Sequence, residues 1–296
     1  MKNNRKVFGC VGYTALVFAS MEPVSKLLNG QVNPFTLTFW RFLIGSAFVF
    51  PMAVREIRRK RLSVRARDIP ILAVEGILIV CLSMGLLQAA VFRAKSAALI
   101  AVIYCTNSVF TVIFAACVLK ETLTKRRAAA VALCLLGIYA GCGIRNREEL
   151  FTVFLAFASA LAMSLFTVLG KRLMDRFPTK VQIGISFPIG TAVLGLLELS
   201  SGVLFEIQVS GLLELLLILY LGVAVTGLGY LSYFWAMELS GAFMASLVFF
   251  IKPVLAPFMS LLILGTGDFS PTLFFSVALI VCGSLLVLSE KKEEKT

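Results

Sequence analysis

Residues Ala242–Leu264 read AFMASLVFFIKPVLAPFMSLLIL, an apolar run holding one full charge, Lys252, with Pro253 directly after it. A helix needs about 20 such residues to cross about 30 Å of hydrocarbon. A charge at that depth costs about 2.5 to 3.5 kcal/mol on insertion scales, so Lys252 is expected to face a partner, water or cargo rather than lipid. Blocks of the same length recur along nearly the whole chain. We read ten spans: Val7–Leu28, Pro34–Val54, Ile69–Val91, Ala97–Leu119, Arg126–Ile144, Leu150–Gly170, Val181–Val203, Leu212–Trp235, Ala242–Leu264 and Thr272–Ser289. The connections are short and leave no room for a separate soluble domain. Composition agrees: the 296 residues are 59% hydrophobic and 15% charged, with a mean hydropathy of +0.94. A soluble domain is roughly half apolar and a quarter charged. The expected fold is an all-α membrane protein.

The net charge of +12 gives topology rather than a nucleic-acid surface. With the N-terminus in the cytoplasm, the inner loops collect Lys2, Arg5 and Lys6, then Arg55, Arg58, Arg59, Lys60, Arg61, Arg65 and Arg67. They also collect Lys120, Lys125, Arg126, Arg127, Lys171, Arg172, Arg176, Lys180, Lys291, Lys292 and Lys295. The outer loops hold Arg93, Lys95, Arg145 and Arg147. Positive charge stays inside, so both termini are expected on the cytoplasmic side of a bacterial-type cytoplasmic membrane. The first span lacks a small-residue cleavage signature and reads as a retained helix. The run Arg55–Arg67 is topological charge; binding of anionic membrane lipid is the sharper reading.

The absence of histidine removes His proton relays, His metal ligands and Ser-His triads. No phosphate loop or dinucleotide fingerprint appears. The seven cysteines, Cys10, Cys81, Cys105, Cys117, Cys134, Cys142 and Cys282, all fall within spans and read as small apolar packers. No nucleophile–base pair is visible, so no enzyme, cofactor or metal site is expected.

Shifted by 145 residues, the chain lies over itself without a gap. Ala15-Leu16 falls on Ala160-Leu161, Lys26 on Lys171, Ala97 on Ala242, Val109 on Val254 and Leu119 on Leu264. Residues 1–145 and 146–296 thus form two five-span repeats. An odd span count turns the second copy upside down, an arrangement that lets two opposed halves rock around a midplane site.

At this point the chain resembles the drug/metabolite transporter superfamily, in its EamA branch. The resemblance rests on Lys26, Pro34 and Arg41 across the first two spans. It rests also on Leu119-Lys120-Glu121-Thr122-Leu123-Thr124, similar to the family's "gErlt" signature. The second repeat departs from the pattern: Lys252-Pro253 stands where the family often has Glu-Pro or Leu-Pro, and Gly267-Asp268 replaces the second Glu signature. The resemblance implies ten helices in two inverted repeats. It also implies a central cavity lined by the first, third, fourth, sixth, eighth and ninth spans, and a cargo among amino acids, other metabolites, nucleotide-linked sugars and drugs.

Depth sorts the remaining charges. Glu22 lies about 9 Å from the outer end of its span and Arg41 about 10 Å from the outer start of the next. They are expected to pair; the functional alternative is an outer gate or a protonatable Glu22. Pro23 is expected to bend the first span. Lys26 sits near enough the interface to snorkel without a partner. Lys252 lies about 16 Å deep, with Glu75 the remaining acidic candidate in the first half. Pro253 and Pro257 each open a backbone hydrogen bond near that level, and broken helices at the midplane are where transporters place their sites. The repeat partner of Lys252 is Asn107, flanked by Tyr104, Thr106 and Thr111. Lys252 is read as the contact for an anionic cargo group, against a static ion pair or a lysine left neutral by desolvation. On the anion reading, Lys252→Met should leave the fold at least as stable. Gln88, Ser164, Thr167, Tyr230, Tyr233 and Trp235 could also line the cavity. Gly137 and Gly141 form a GxxxG that is either the contact between the halves or a homodimer face.

The expected function is secondary transport of a small polar metabolite with a carboxylate, such as an amino acid, by export through alternating access. Its rivals are export of lipophilic cations or drugs, and a lipid-headgroup flippase or membrane scaffold.

Overall fold

The computed structural model describes residues 2–119, 125–142, 147–202, 211–246, 248–266 and 270–293. The signature residues Lys120–Thr124, the pair Gly267-Asp268 and the expected repeat boundary at 145/146 lie outside them. The described chain is helical because a backbone in hydrocarbon must satisfy its own N–H and C=O groups, and an α-helix does so within one segment.

The first two spans are α1 (Lys2–Leu27) and α2 (Pro34–Lys60). Asn33 caps α2 by accepting from Phe35 N at 3.0 Å, and Pro34 opens the helix, where its missing N–H costs nothing. The third span is composite: α3 (Ile69–Gly76), a π-helical segment (Ile77–Met84) and α4 (Gly85–Arg93). The fourth breaks into α5 (Ala97–Tyr104) and α6 (Asn107–Leu119) at Cys105-Thr106. There follow α7 (Lys125–Cys142), α8 (Arg147–Leu173) and α9 (Thr179–Ser200). The eighth span is α10 (Leu212–Leu219), a second π-helical segment (Tyr220–Gly229) and α11 (Tyr230–Ser246). The chain closes with α12 (Val248–Leu264) and α13 (Pro271–Glu293). Among the described residues, seven stretches are long and apolar enough to cross a membrane. Three shorter apolar helices, Ala128–Gly137, Ile251–Leu264 and Pro271–Gly283, fall on the other expected spans.

Packing is reciprocal, as an inverted repeat requires. Spans two and seven pack together (α2 on α9), as do five and ten (α7 on α13). The pairing of α1 with α12 is mirrored by α8 with α6. The pairing of α1 with the second π segment and α11 is mirrored by α8 with the first π segment and α4. The two π segments coincide as well: Ile77–Met84 moved by 145 residues becomes 222–229, inside Tyr220–Gly229. The fold is therefore two inverted five-helix repeats.

Two expectations need correction. The ninth helix begins at Val248 rather than Ala242, and α12 runs through Pro253 and Pro257 without interruption. A proline removes one hydrogen bond, yet its fixed φ still fits a helix, and membrane helices tolerate the loss. The break at the Lys252 level is in the other half, one residue before Asn107. Pro23 lies within α1, which runs on to Leu27. Gly137 packs inside the chain: a Cβ there would meet Ile280 and the Ser276 carbonyl, and Ser276 Oγ donates to Gly137 O at 2.7 Å. That face of α7 is the contact between the halves.

Candidate functional site

Lys252 Nζ lies 2.6 Å from Glu22 Oε1 and both side chains are 0% exposed, which places a complete ion pair between α12 and α1. The same ammonium stands over the Tyr104 ring, 4.8 Å from its centroid. This overturns the expected Glu22–Arg41 pair, and Glu75 is not the partner of Lys252. Counting along each span measures Cα depth only. It does not give the face each residue presents, and a lysine carries its charge on a four-carbon stem. Because α1 packs directly on α12, that stem brings Lys252 to Glu22.

Arg41 is fully buried on the neighbouring face of α2. Its Nε donates to Thr226 Oγ1 at 3.1 Å and its Nη2 approaches Met21 Sδ at 3.1 Å. Thr226 in turn donates to Leu221 O, five residues back, so the π segment turns this hydroxyl toward the guanidinium. Arg41 interacts electrostatically with Glu22 without a hydrogen bond between them. Arg41 Nη1 and Glu22 Oε2 are buried with no hydrogen-bond partner. With all three groups ionised, two cations face one anion and the cluster keeps one excess positive charge.

Aromatic rings seal this level. Tyr230 is the hub, with ring centroids 5.1 Å from Phe18, 5.3 Å from Phe187 and 6.3 Å from both Phe42 and Phe166. Tyr233 meets Phe249 and Phe234 edge-on, with ring centroids 5.5 Å away, and the Thr167 hydroxyl donates to Met163 O. Asn107 is spent on structure: its Nδ2 donates to Tyr104 O and its carbonyl accepts from Ser164 Oγ. Gln88 is buried with both amide atoms unpartnered. Thr111 is half-buried one turn beyond Asn107.

Cavities lie on either side. One, of about 620 Å³, is lined by Asn29–Phe35, Ala89, Phe92 and Arg93. The other, of about 430 Å³, includes Met52, Glu56, Thr179, Leu231 and Trp235. Arg41 stands on α2 between Phe35, which lines the first cavity, and Met52, which lines the second. Trp235, 48% exposed, belongs to the second cavity and not to the Lys252 level. Lys26 has partners after all: its ammonium donates to the carbonyls of Val91, Phe92 and Ala94 at the end of α4, where a cation suits the helix dipole.

The sequence reading missed Thr226, Met21 and Gln182, and the phenylalanines around Tyr230. Thr226 and Gln182 were findable as polar residues inside apolar spans. The phenylalanines carry no local signal, because 25 of them are spread along the chain.

Among the described residues, ten apolar stretches in two inverted repeats close on a buried charged cluster, the architecture of a multi-pass membrane protein; its similarity to known proteins makes it a transporter and not an enzyme. The chain belongs to the EamA-like transporter family, which matches residues 10–140 and again 150–289. It is 34% identical to an uncharacterized transporter of Clostridium kluyveri, over 95% of this chain and 92% of that one. A solved crystal structure superposes with a TM-score of 0.64 at 23% identity, covering 97% of this chain and 98% of the other, and shares the fold.

Proposed function

We propose that this transporter carries a small polar metabolite bearing a carboxylate, such as an amino acid, outward by alternating access, and that Arg41 receives the cargo's negative group. The observation that carries this reading is the excess charge: Lys252 is neutralised by Glu22, while Arg41 keeps an unpartnered, buried Nη1. A guanidinium presents a planar fork of donors matched to a carboxylate, and a buried donor without a partner is costly until something fills it. Arg41 thus takes the role first assigned to Lys252, and the Glu22–Lys252 pair becomes the gate that holds α1 to α12. A lipophilic-cation cargo would need an unpaired acid at this level, and Glu22 is engaged. The sealed aromatic level, which alone would suit a scaffold, is in a transporter the barrier of an occluded state. Direction of export, cytoplasmic termini and division into residues 1–145 and 146–296 are parts of this proposal.

A thermal-shift screen of the purified protein against amino acids, other carboxylates and amines tests it. A ligand at 100 times its Kd adds about 2.7 kcal/mol of stability. We expect carboxylates to raise the melting temperature of the wild type and not of Arg41→Met. Stabilisation by amines alone would refute the reading.

A further inference from the structure

Away from the central cluster, Glu75 ends α3 as a completely buried carboxyl. Its Oε1 accepts from Gln182 Nε2 on α9, and its Oε2 has no partner. Gln182 Oε1 is also buried and unpartnered. Both orphan atoms are acceptors, and a proton on the carboxyl turns one of them into a donor.

The surroundings supply no compensating charge. Gly170 of α8 closes the site: a Cβ there would lie 3.1 Å from Glu75 Oε1 and 2.8 Å from a Phe234 ring carbon. On the elements packed against α3, the charged groups at this end are Arg67 and Asp68 on the preceding turn, Lys171 and Arg172 at the end of α8, and Lys180 on α9, while Glu198 on α9 and Arg147, Glu148 and Glu149 on α8 stand at the far ends of those helices. Asp68 is paired with Arg176, and the four basic side chains at this end are exposed. None forms an ion pair with Glu75. A buried carboxylate facing one neutral amide pays a large desolvation cost that the acid form avoids.

The repeat does not demand an acid here. The equivalent position 145 residues on is Tyr220, whose hydroxyl meets Ser20 Oγ at 2.6 Å, a neutral pair. Glu75 also adjoins a close helix crossing. Gly76 follows it and touches the backbone of Ser186 and Gly190 on α9, and the π segment then carries Ser83 toward the Tyr104 hydroxyl, 3.5 Å away. Tyr104 is the ring beneath Lys252.

We propose that Glu75, with Gln182, is a reversible proton-binding site that couples transport to proton movement. It holds a proton while the α3–α9 contact is closed and releases it when that contact opens to water. The proposal is independent of the cargo and of Arg41.

Infrared difference spectroscopy of the full chain in lipid nanodiscs, with pH as the only variable, tests it. The wild type should show a protonated-carboxyl band that is lost over one interval as pH rises. Glu22→Gln should keep that band and Glu75→Gln should lack it. Gln182→Leu should keep it to higher pH, because a donor to the carboxylate is gone. Hydrogen–deuterium exchange in α3 and the start of α9, each referenced to Glu75→Gln at the same pH, should rise over the same interval. A band that survives Glu75→Gln, a band that pH does not change, or exchange that matches the Gln variant at every pH would each overturn the proposal.

Discussion

Lys252 shows how the consequences of a residue depend on its partner. As a free cation it would be a liability to the fold, and Lys252→Met would be neutral or better. Paired at 2.6 Å with Glu22, it holds a carboxylate that has no other cation in hydrogen-bond contact. Removing Glu22 leaves two buried cations with no anion, which costs about 3 to 5 kcal/mol, whereas removing Lys252 leaves Glu22 facing Arg41 without a hydrogen bond. We therefore expect Glu22→Gln to lower the melting temperature most, Lys252→Met to lower it less, and the double variant, which no longer holds a stranded Lys252, to melt above Glu22→Gln alone. Strictly additive losses would show that the two charges do not depend on each other. Arg41→Met should behave differently, because it removes the excess cation and leaves a complete pair behind. All three charged residues stood out in the sequence as charges at bilayer depth, so the membership of the cluster was legible. The pairing was not, since it depends on which faces of α1, α2 and α12 meet.

At the scale of elements, the irregular helices position the site. The π segment Tyr220–Gly229 turns Thr226 to Arg41, and the segment Ile77–Met84 lies beside Gly76. Apolar spans were plain from composition, but a π segment has no sequence signature comparable to a proline, and the prolines at 253 and 257 pointed to a break that does not occur. The close crossing of α3 and α9 depends on glycine: a Cβ on Gly76 would overlap the Ser186 carbonyl, and one on Gly190 the Gly76 carbonyl. Neither carbonyl can swing away as a side chain would. Gly76→Ala should therefore cost about 1 to 3 kcal/mol or more through overpacking, read as a fall in melting temperature. Gly12→Ala, in α1 with nothing within 4 Å of the added carbon, should be neutral or gain up to about 1 kcal/mol. Equal effects at the two positions would show that the crossing is not close-packed.

The whole molecule was the most legible level. One 145-residue offset predicted the repeat, and the same family matches both halves. The proposed orientation in the membrane, read from the loop charges, can be checked directly. Protease-cleavable tags at both ends of the chain should be cut only after the cytoplasmic side is exposed. The proposed alternating access belongs to this scale, since in it the two halves move around the cluster that joins them. The most direct test is exchange flux in proteoliposomes, comparing a carboxylate found by thermal shift with its uncharged amide, in the wild type and in Arg41→Met. The account predicts that the wild type moves the carboxylate at least about tenfold faster than the amide, equivalent to about 1.4 kcal/mol, and that Arg41→Met loses this preference while remaining folded. Equal rates for the two compounds in the wild type, or a preference that survives in Arg41→Met, would contradict it.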